Sequence, residues 1–481
     1  MITAMIFDWA RRAPERAAVV FDGRPLSYRA FADRIAVARG YFARRGCVGE
    51  GVAVVAVVNL LDFWILSLAL RSLGVTTYAV DPSQGHDLPG LADVRLVVTD
   101  PVGNWPDLER ASAARGWDFL RVSLAGEAAL GLDAENRPPG GHILHTSGTT
   151  GAYKFVLMNA EIDAVSASCT QAALGLDRQS LVDVFNFGGW TGVGYRFPAA
   201  AWAAGGGVIL RQSGHFHQSL LEPGVSHAVL IPNLLDLVLA APADAFPCND
   251  ALLLAVGGGP MTRAQIDQAK ARITPHLYNC LGATETGIFA FTALDSPEDY
   301  RWQTIAPGRV VEIVDDHHRP VPTGEIGRVR VGAAGWPDAY LHDEAATRAA
   351  FAHGCFYPGD LGVIRADGRL ALQGRVTDVI NVNGHKLSPA PVEARLREAL
   401  GVSEVCLVTV QDDSGEEQAH LVIESETPIS PATLNPAVRR ELADFASVRV
   451  HFVASLPRNA MGKVLREGVV AQALQRGTRT T

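Results

Sequence analysis

Residues 52–73 read VAVVAVVNLLDFWILSLALRSL, the longest apolar stretch of the chain. A membrane helix needs roughly 20 uninterrupted apolar residues, and Asn59 and Asp62 stand in the middle of this run. The β-branched opening VAVVAVV reads instead as a buried strand, and FWILSLALRSL as the helix that follows it. Strand then helix, both buried, is the unit from which parallel sheets covered by helices are built.

The unit recurs along the chain. RLVVTD (95–100), GGVILRQ (206–212), HAVLIP (227–232) and LLLAVGGG (252–259) are short runs of the same kind, set between helical patterns. Upstream, Ile6, Trp9 and Ala10 lie on one face of a short N-terminal helix. After about residue 300 the texture changes to shorter strands with turn signals, as in VVEIVDDHHRPVPTGEIGRVRVG (310–332), which predicts hairpins. From Gly374 a third texture begins: VINVNG, the helix PVEARLREAL, the strands VCLVTV and HLVIES, and a helix starting near Pro431. The expected fold is therefore α/β. A large N-terminal domain (1–373) carries parallel-rich sheets and a β subdomain, and a small α+β domain (374–481) follows.

With 481 residues, 48% of them hydrophobic and 19% charged, the chain has ample material for a large core and more than one domain. Its net charge of -9 draws it neither to nucleic acid nor to an anionic membrane, so any anion it binds must be held locally. The six cysteines are scattered without the close pairs of a zinc ribbon or a redox dithiol. They read as reduced thiols, and with no secretory signal in MITAMIFDWARRAPER the expected location is cytoplasmic.

HTSGTTG (145–151) offers glycines that let the backbone approach a ligand and hydroxyls that donate to phosphate oxygens. It is not a P-loop, because Gly151 is followed by Ala-Tyr-Lys. Nor is Ser147 in a nucleophile elbow, since position 145 is histidine. Taken alone it reads equally as a polar loop. Four further motifs follow it in order: YNCLGATETG (278–287), CFYPGDLGVI (355–364), GRVTDVINVNGHKL (374–387) and LPRNAMGKVLRE (456–467). Two other histidine-rich stretches, HFH (215–217) and DDHH (315–318), lack a third ligand at a recognised spacing, and the second reads as a hairpin turn.

In this order and at these distances the five motifs resemble those of the AMP-forming adenylating superfamily, which includes acyl-CoA synthetases, adenylation domains of nonribosomal peptide synthetases and luciferase-like enzymes. LSYRAFADRIAVARGYFARRG (26–46) and LRSLGVTTYAVDP (70–82) extend the likeness over nearly the whole chain. The resemblance implies two steps: a carboxylate attacks the α-phosphate of ATP, releasing pyrophosphate, and a thiol then displaces AMP from the acyl-adenylate. It implies ATP and Mg2+, with coenzyme A as the first-choice acceptor. A stand-alone enzyme loading a carrier protein is the close second, and a degenerate nucleotide-binding protein without catalysis is the reading of another class.

Residue by residue, the resemblance makes Thr146, Ser147, Gly148, Thr149, Thr150 and Gly151 the loop that holds the β- and γ-phosphates, with Lys154 adding charge. Gly257, Gly258 and Gly259 border adenine. Thr284 contacts the α-phosphate, Glu285 binds magnesium, and Asp360 and Arg375 hold the ribose. Lys463 bridges the substrate carboxylate and the α-phosphate in the first step. The hinge lies at 374–378, Gly384 borders pantetheine, and Lys386 meets a phosphate of coenzyme A.

The chain departs from the pattern in four places. Thr377 stands where aspartate or lysine is usual at the hinge, Tyr153 and Phe155 replace proline and glycine around Lys154, and Leu281 replaces an aromatic that stacks on adenine. Asn186 stands where many acyl-CoA synthetases carry histidine and amino-acid activators carry aspartate. Asparagine supplies no charge for an α-ammonium group, which favours a small carboxylic acid with an uncharged chain. Trp190, close by, is either a core aromatic or a wall of the acyl pocket.

Overall fold

A polar residue between a strand and a helix can serve as the helix's cap, and Asn59 does so. Its side-chain oxygen accepts from the backbone N–H of Leu61 at 2.8 Å and of Asp62 at 3.3 Å. This starts the helix Leu60–Ser72 directly after the strand Val52–Ala56. The computed structural model describes residues 2–80, 91–134, 137–146, 154–185, 187–211, 216–382, 385–411, 417–443, 448–458 and 464–475. Among these, no helix is long and apolar enough to cross a membrane.

The strand Val52–Ala56 lies inside a six-stranded sheet whose order is Asp118–Arg121, Val94–Thr99, Val52–Ala56, Thr76–Ala79, His142–Thr146 and Lys154–Met158. All neighbours are parallel except the last pair, an antiparallel hairpin that ends the sheet. An eight-stranded sheet runs Gly287–Ala293, Leu277–Ala283, Leu253–Gly257, His227–Leu230, Leu181–Asp183, Gly207–Leu210, Ala17–Phe21 and Arg24–Ser27. Its inner pairs are parallel and its two outermost pairs antiparallel. The α/β class and the strands read from VAVVAVV, RLVVTD, GGVILRQ, HAVLIP and LLLAVGGG are all present.

One apolar cluster joins the two sheets. It takes Val55, Leu96 and Leu144 from the first, Val19, Val182 and Val208 from the second, and Phe31, Trp64, Leu68 and Trp202 from helices packed with both. The N-terminal helix Ile2–Arg12 adds Ile6, with Trp9 and Ala10 packed at the margin.

An ion pair lies inside this apolar layer. Arg71 and Asp163 are 1% and 3% exposed and meet at 2.6 Å. The Tyr195 hydroxyl accepts from Arg71 and donates to Asp163 at 2.8 Å, and Arg71 Nε donates to the Gly140 carbonyl at 3.1 Å. A pair with no access to water persists only if its remaining hydrogen-bonding capacity is met in this way. His142 stacks on the Tyr195 ring at 4.5 Å. Its Nε2 meets the Gly189 carbonyl at 2.7 Å and its Nδ1 the Thr77 hydroxyl at 2.8 Å. A carbonyl only accepts, so Nε2 carries the proton and Nδ1 accepts.

The hairpins read after residue 300 form an antiparallel sheet of Val311–Val314, Gly327–Gly332, Phe351–Ala352, Cys355–Phe356, Asp360–Ile364 and Leu370–Arg375. DDHH is a turn. Asp315 Oδ1 accepts from the backbone N–H of His317 and Arg319, at 2.8 and 2.9 Å, and His318 is left-handed at φ 63. Among the described residues no group of three side chains could hold a metal.

From Ile380 on, a hairpin (Ile380–Val382 with His385–Leu387) and a three-stranded sheet (Glu404–Gln411, Glu417–Glu424, Val448–Val453) have cores of their own. Alternate residues of Glu404–Gln411 face opposite ways. Val405 and Leu407 join Val392, Leu396 and Leu434 from the helices Pro389–Leu400 and Pro431–Glu441, and Cys406 and Val408 join Val469 from the helix Arg466–Gln475. Arg466 pins that last helix, meeting Glu393 at 2.8 Å and Asp378 at 3.1 Å and donating to the Leu407 carbonyl at 2.8 Å.

Breaking a buried pair leaves its partner charge stranded, at a cost of about 3–5 kcal/mol. Asp163→Ala is expected to destabilise the part of the chain that holds Arg71 by that amount, read as a lower denaturant midpoint. Glu344→Ala, which removes one side of the exposed Arg348–Glu344 pair, leaves the midpoint unmoved.

Candidate active site

Three consecutive parallel strands of the eight-stranded sheet, His227–Leu230, Leu253–Gly257 and Leu277–Ala283, end at the same edge. In open α/β sheets the carboxyl ends of the strands are where ligands bind. Here those ends lead into Ile231-Pro232, Gly257-Gly258-Gly259 and Thr284-Glu285. The glycines allow close packing: a Cβ on Gly257 would come within 2.7 Å of the Cys280 carbonyl, and Gly258, at φ 83, lies against Ile231.

Thr284, Glu285 and Thr286 form the turn between the antiparallel strands Leu277–Ala283 and Gly287–Ala293. Two guanidinium groups hold the turn's carbonyls. Arg196, from the helix Gly192–Ala204, donates to Ala283 at 3.2 Å and also to Thr284, and Arg309 donates to Thr286 at 3.0 Å. Both stack on Trp336, with centroid distances of 5.4 and 4.6 Å. Trp336 in turn fills the space beside Gly287, where a Cβ would come within 2.5 Å of the indole. Burial pushes the Arg196 guanidinium down to about 10, opposed chiefly by the Glu285 charge.

Glu285 is itself buried, with 6% exposure. Its Oε1 accepts from the Tyr340 hydroxyl at 2.5 Å, and its Oε2 takes no partner among the described residues. Tyr340 is fixed from several sides. Its ring meets Phe351 edge-on at 5.3 Å, and its N–H donates to the Thr347 hydroxyl at 3.0 Å. Burial and the Glu285 charge raise the Tyr340 pKa, so it stays a neutral donor.

The base of the HTSGTTG hairpin comes to the same place. Thr146 pairs with Lys154 across the two strands, and Lys154 Nζ lies 5.0 Å from the centre of the Tyr340 ring. The Leu341 N–H donates to the Phe155 carbonyl at 2.8 Å, and the His145 N–H to the Trp190 carbonyl at 3.4 Å. Gly192 lies beside the Thr284 hydroxyl, where a Cβ would be 3.8 Å from it. Thr146, Lys154, Trp190, Thr284 and Glu285 are thus gathered from distant parts of the chain. Trp190 is half-buried and folds over Gly188, as a core aromatic or a pocket wall would.

Asp360 and Arg375 face each other across adjacent strands, with Arg375 Nε 2.9 Å from Asp360 Oδ1. Leu281 packs into an apolar cluster with Phe289, Leu370 and Leu372, which sets that strand pair against Leu277–Ala283. Thr377 is exposed and donates to Asp378 at 3.1 Å. Ser147, Gly148, Thr149, Thr150, Gly151, Asn186, Gly384 and Lys463 lie outside the described residues, as does the Lys386 side chain.

Arg196, Arg309, Trp336 and Tyr340 were not anticipated. Arg196 carried a usable signal, because a lone arginine in the apolar run GVGYRFPAAAWAA must find partners when the helix is buried. Tyr340, in GWPDAYLHD, carried none. Taken together, a carboxylate with one oxygen unpartnered among the described residues, a neighbouring hydroxyl and a lysine suit a hard divalent cation and the phosphates that accompany it.

Comparison with known proteins agrees with this chemistry. The family model described as AMP-binding enzyme matches residues 6–341. The fatty acid–[acyl-carrier-protein] ligase ScoC of Streptomyces coeruleorubidus is 26% identical over 95% of this chain and 93% of its own length. A 2-succinylbenzoate–CoA ligase of Listeria monocytogenes is 24% identical over 95% of this chain and 96% of its own. The o-succinylbenzoate CoA synthetase (MenE) of Bacillus subtilis, solved with the acyl-adenylate intermediate OSB-AMP, superposes with a TM-score of 0.83 at 20% identity, covering 99% of this chain and 98% of that one.

Arg196→Leu leaves two half-buried carbonyls without their guanidinium donor, and a buried group left unpaired costs at most about 1–3 kcal/mol. The expected result is a clear loss in chemical unfolding, with Arg196→Lys recovering only part of it because an ammonium lacks the planar fork.

Proposed function

This chain belongs to the AMP-binding enzyme family, and on that footing we propose that it activates a carboxylic acid with ATP and passes the acyl group to a thiol, with coenzyme A as the first-choice acceptor. The observation that carries this reading is the gathering of Thr284 and Glu285 with Thr146 and Lys154 at the carboxyl ends of the parallel strands.

In the first step a carboxylate oxygen of the acid attacks the α-phosphorus of ATP, and the bond to pyrophosphate breaks. Ser147, Gly148, Thr149, Thr150 and Gly151, with Thr146 and Lys154 at their base, hold the β- and γ-phosphates. Thr284 donates to the α-phosphate, Gly257 to Gly259 border adenine, and Asp360, oriented by Arg375, accepts from the ribose hydroxyls. Glu285 would hold magnesium, which when bound neutralises phosphate charge. Lys463 bridges the two anions as they approach. A charge pair at 4 Å with an effective dielectric of 20 is worth about 4 kcal/mol, or roughly a thousandfold in rate if realised only in the transition state.

In the second step the thiol sulfur attacks the acyl carbonyl, AMP leaves, and the thiol proton passes to solvent. Residues 374–481 act as a small domain that turns about the hinge at 374–378, withdrawing Lys463 and presenting Gly384 and Lys386 to the thiol. The Arg466 ion pairs support this. Three residues beyond Lys463, Arg466 is bonded to Glu393 and Asp378, so the lysine's segment travels with the small domain. By the resemblance Asn186, Trp190 and Leu281 are assigned to the substrate pocket, and the uncharged Asn186 favours an acid with an uncharged chain. A carrier protein is the alternative acceptor, supported by the likeness to the fatty acid–[acyl-carrier-protein] ligase.

The test is acid-dependent ATP–pyrophosphate exchange without thiol, over short, aromatic, long-chain and amino acids. Exchange with one class of uncharged-chain acid is expected. Protein that binds ATP yet exchanges with none would instead be a nucleotide-binding protein without catalysis. Lys463→Ala is expected to lower exchange roughly a thousandfold while ATP binding persists. Turnover with coenzyme A against turnover with a carrier protein then separates the two acceptors.

A further inference from the structure

The carboxylate of Glu285 has two oxygens and, among the described residues, one partner. Tyr340 donates to Oε1 at 2.5 Å, at the short end of the range for a hydroxyl on a carboxylate. A glutamate side chain has three rotatable bonds, so an unrestrained Glu285 would spread over several orientations. The phenol's hydrogen bond restricts that freedom, and the phenol is itself held by its neighbours. The helix Glu344–Ala350 is capped by Asp343, whose Oδ1 accepts from Ala346 N–H at 2.9 Å. Thr347 of that helix receives the Tyr340 N–H and donates to the Asp343 carbonyl at 2.7 Å. Phe351, next in the chain, closes on the ring's edge.

Lys154 rests on the opposite kind of surface, the ring face, at 5.0 Å. A cation there draws on the ring's π density and strengthens the hydroxyl as a donor. Tyr340 therefore stands between the lysine at the base of the glycine-rich hairpin and the carboxylate on the neighbouring turn, touching both.

We infer that Tyr340 is a positioning residue for the metal: it holds Oε1 of Glu285 so that Oε2 is presented to a divalent cation, and it thereby sets the affinity of the site for magnesium. The inference rests on the proposed role of Glu285 as the magnesium ligand. Residues that orient a metal ligand through a hydrogen bond typically change metal affinity 10–100-fold when lost.

The experiment compares three variants of the full chain. In Tyr340→Phe the Mg2+ concentration giving half-maximal pyrophosphate exchange is expected to rise at least about tenfold, with the KM for the acid unchanged. Mn2+ binding in the presence of a non-hydrolysable ATP analogue, followed by electron paramagnetic resonance, is expected to weaken by the same factor without any turnover. Phe351→Leu loosens the packing on the same ring but keeps the hydroxyl. It should lower thermal stability and leave the metal dependence in place, whereas an equal shift in metal dependence would reduce Tyr340 to a packing role and overturn the inference. Glu285→Gln separates the two levels. If it raises the metal requirement while Tyr340→Phe does not, the Tyr340 inference fails and the magnesium reading stands. If Glu285→Gln leaves the metal requirement and Mn2+ binding unchanged, both fail.

Discussion

The charge pair of Arg71 and Asp163, sealed between two sheets, is the constraint on which the rest of the arrangement depends. An ion pair out of reach of water tolerates little displacement, because a small separation loses attraction that no solvent replaces. The pair draws together the helices Leu60–Ser72 and Ala160–Leu174, and Tyr195 adds Gly192–Ala204. Tyr195 is followed directly by Arg196, whose guanidinium reaches the turn carrying Thr284 and Glu285. A buried network in the core and the placement of the candidate site are thus adjacent residues of one helix.

The electrostatics around that turn follow one pattern. Arg196 and Arg309 each donate to backbone carbonyls at the turn and lie over Trp336, and neither forms an ion pair with a carboxylate among the described residues. Their field acts on Glu285 and on whatever anion lies beside it. A chain with a net charge of -9 can in this way present positive potential locally, where oriented dipoles and fixed cations outweigh the distant surface charge.

Much of this was legible in advance. The β-branched runs and the glycine-punctuated hairpins state local preferences, and local preference survives in the fold wherever burial on both faces agrees with it. The order of the five motifs carried the family resemblance, which the family match bears out. What could not be read was contact between residues far apart in the chain. Arg71 appeared only as a basic residue ending an apolar helix, and its partner lies 92 positions away. Tyr340 looked like any aromatic beside a turn, and its meaning comes from Glu285, 55 positions earlier. The strand VRVHFV (448–453) completes its sheet by pairing parallel to Glu417–Glu424, a partner separated from it in the chain by the helix Pro431–Glu441.

His142 gives the core a consequence outside catalysis. Burial, reinforced by the Arg71 charge, pushes its imidazole down to about 3 from an ordinary 6.5. Between those values the unfolded chain takes up a proton that the folded chain refuses. Proton uptake therefore favours unfolding as pH falls from about 6.5 toward 3, and the full contribution of this residue is present only above that window. The imidazole that steadies the Gly189 carbonyl beside Trp190 also acts as an acid limit, tying the fold's tolerance of low pH to the segment that borders the candidate site.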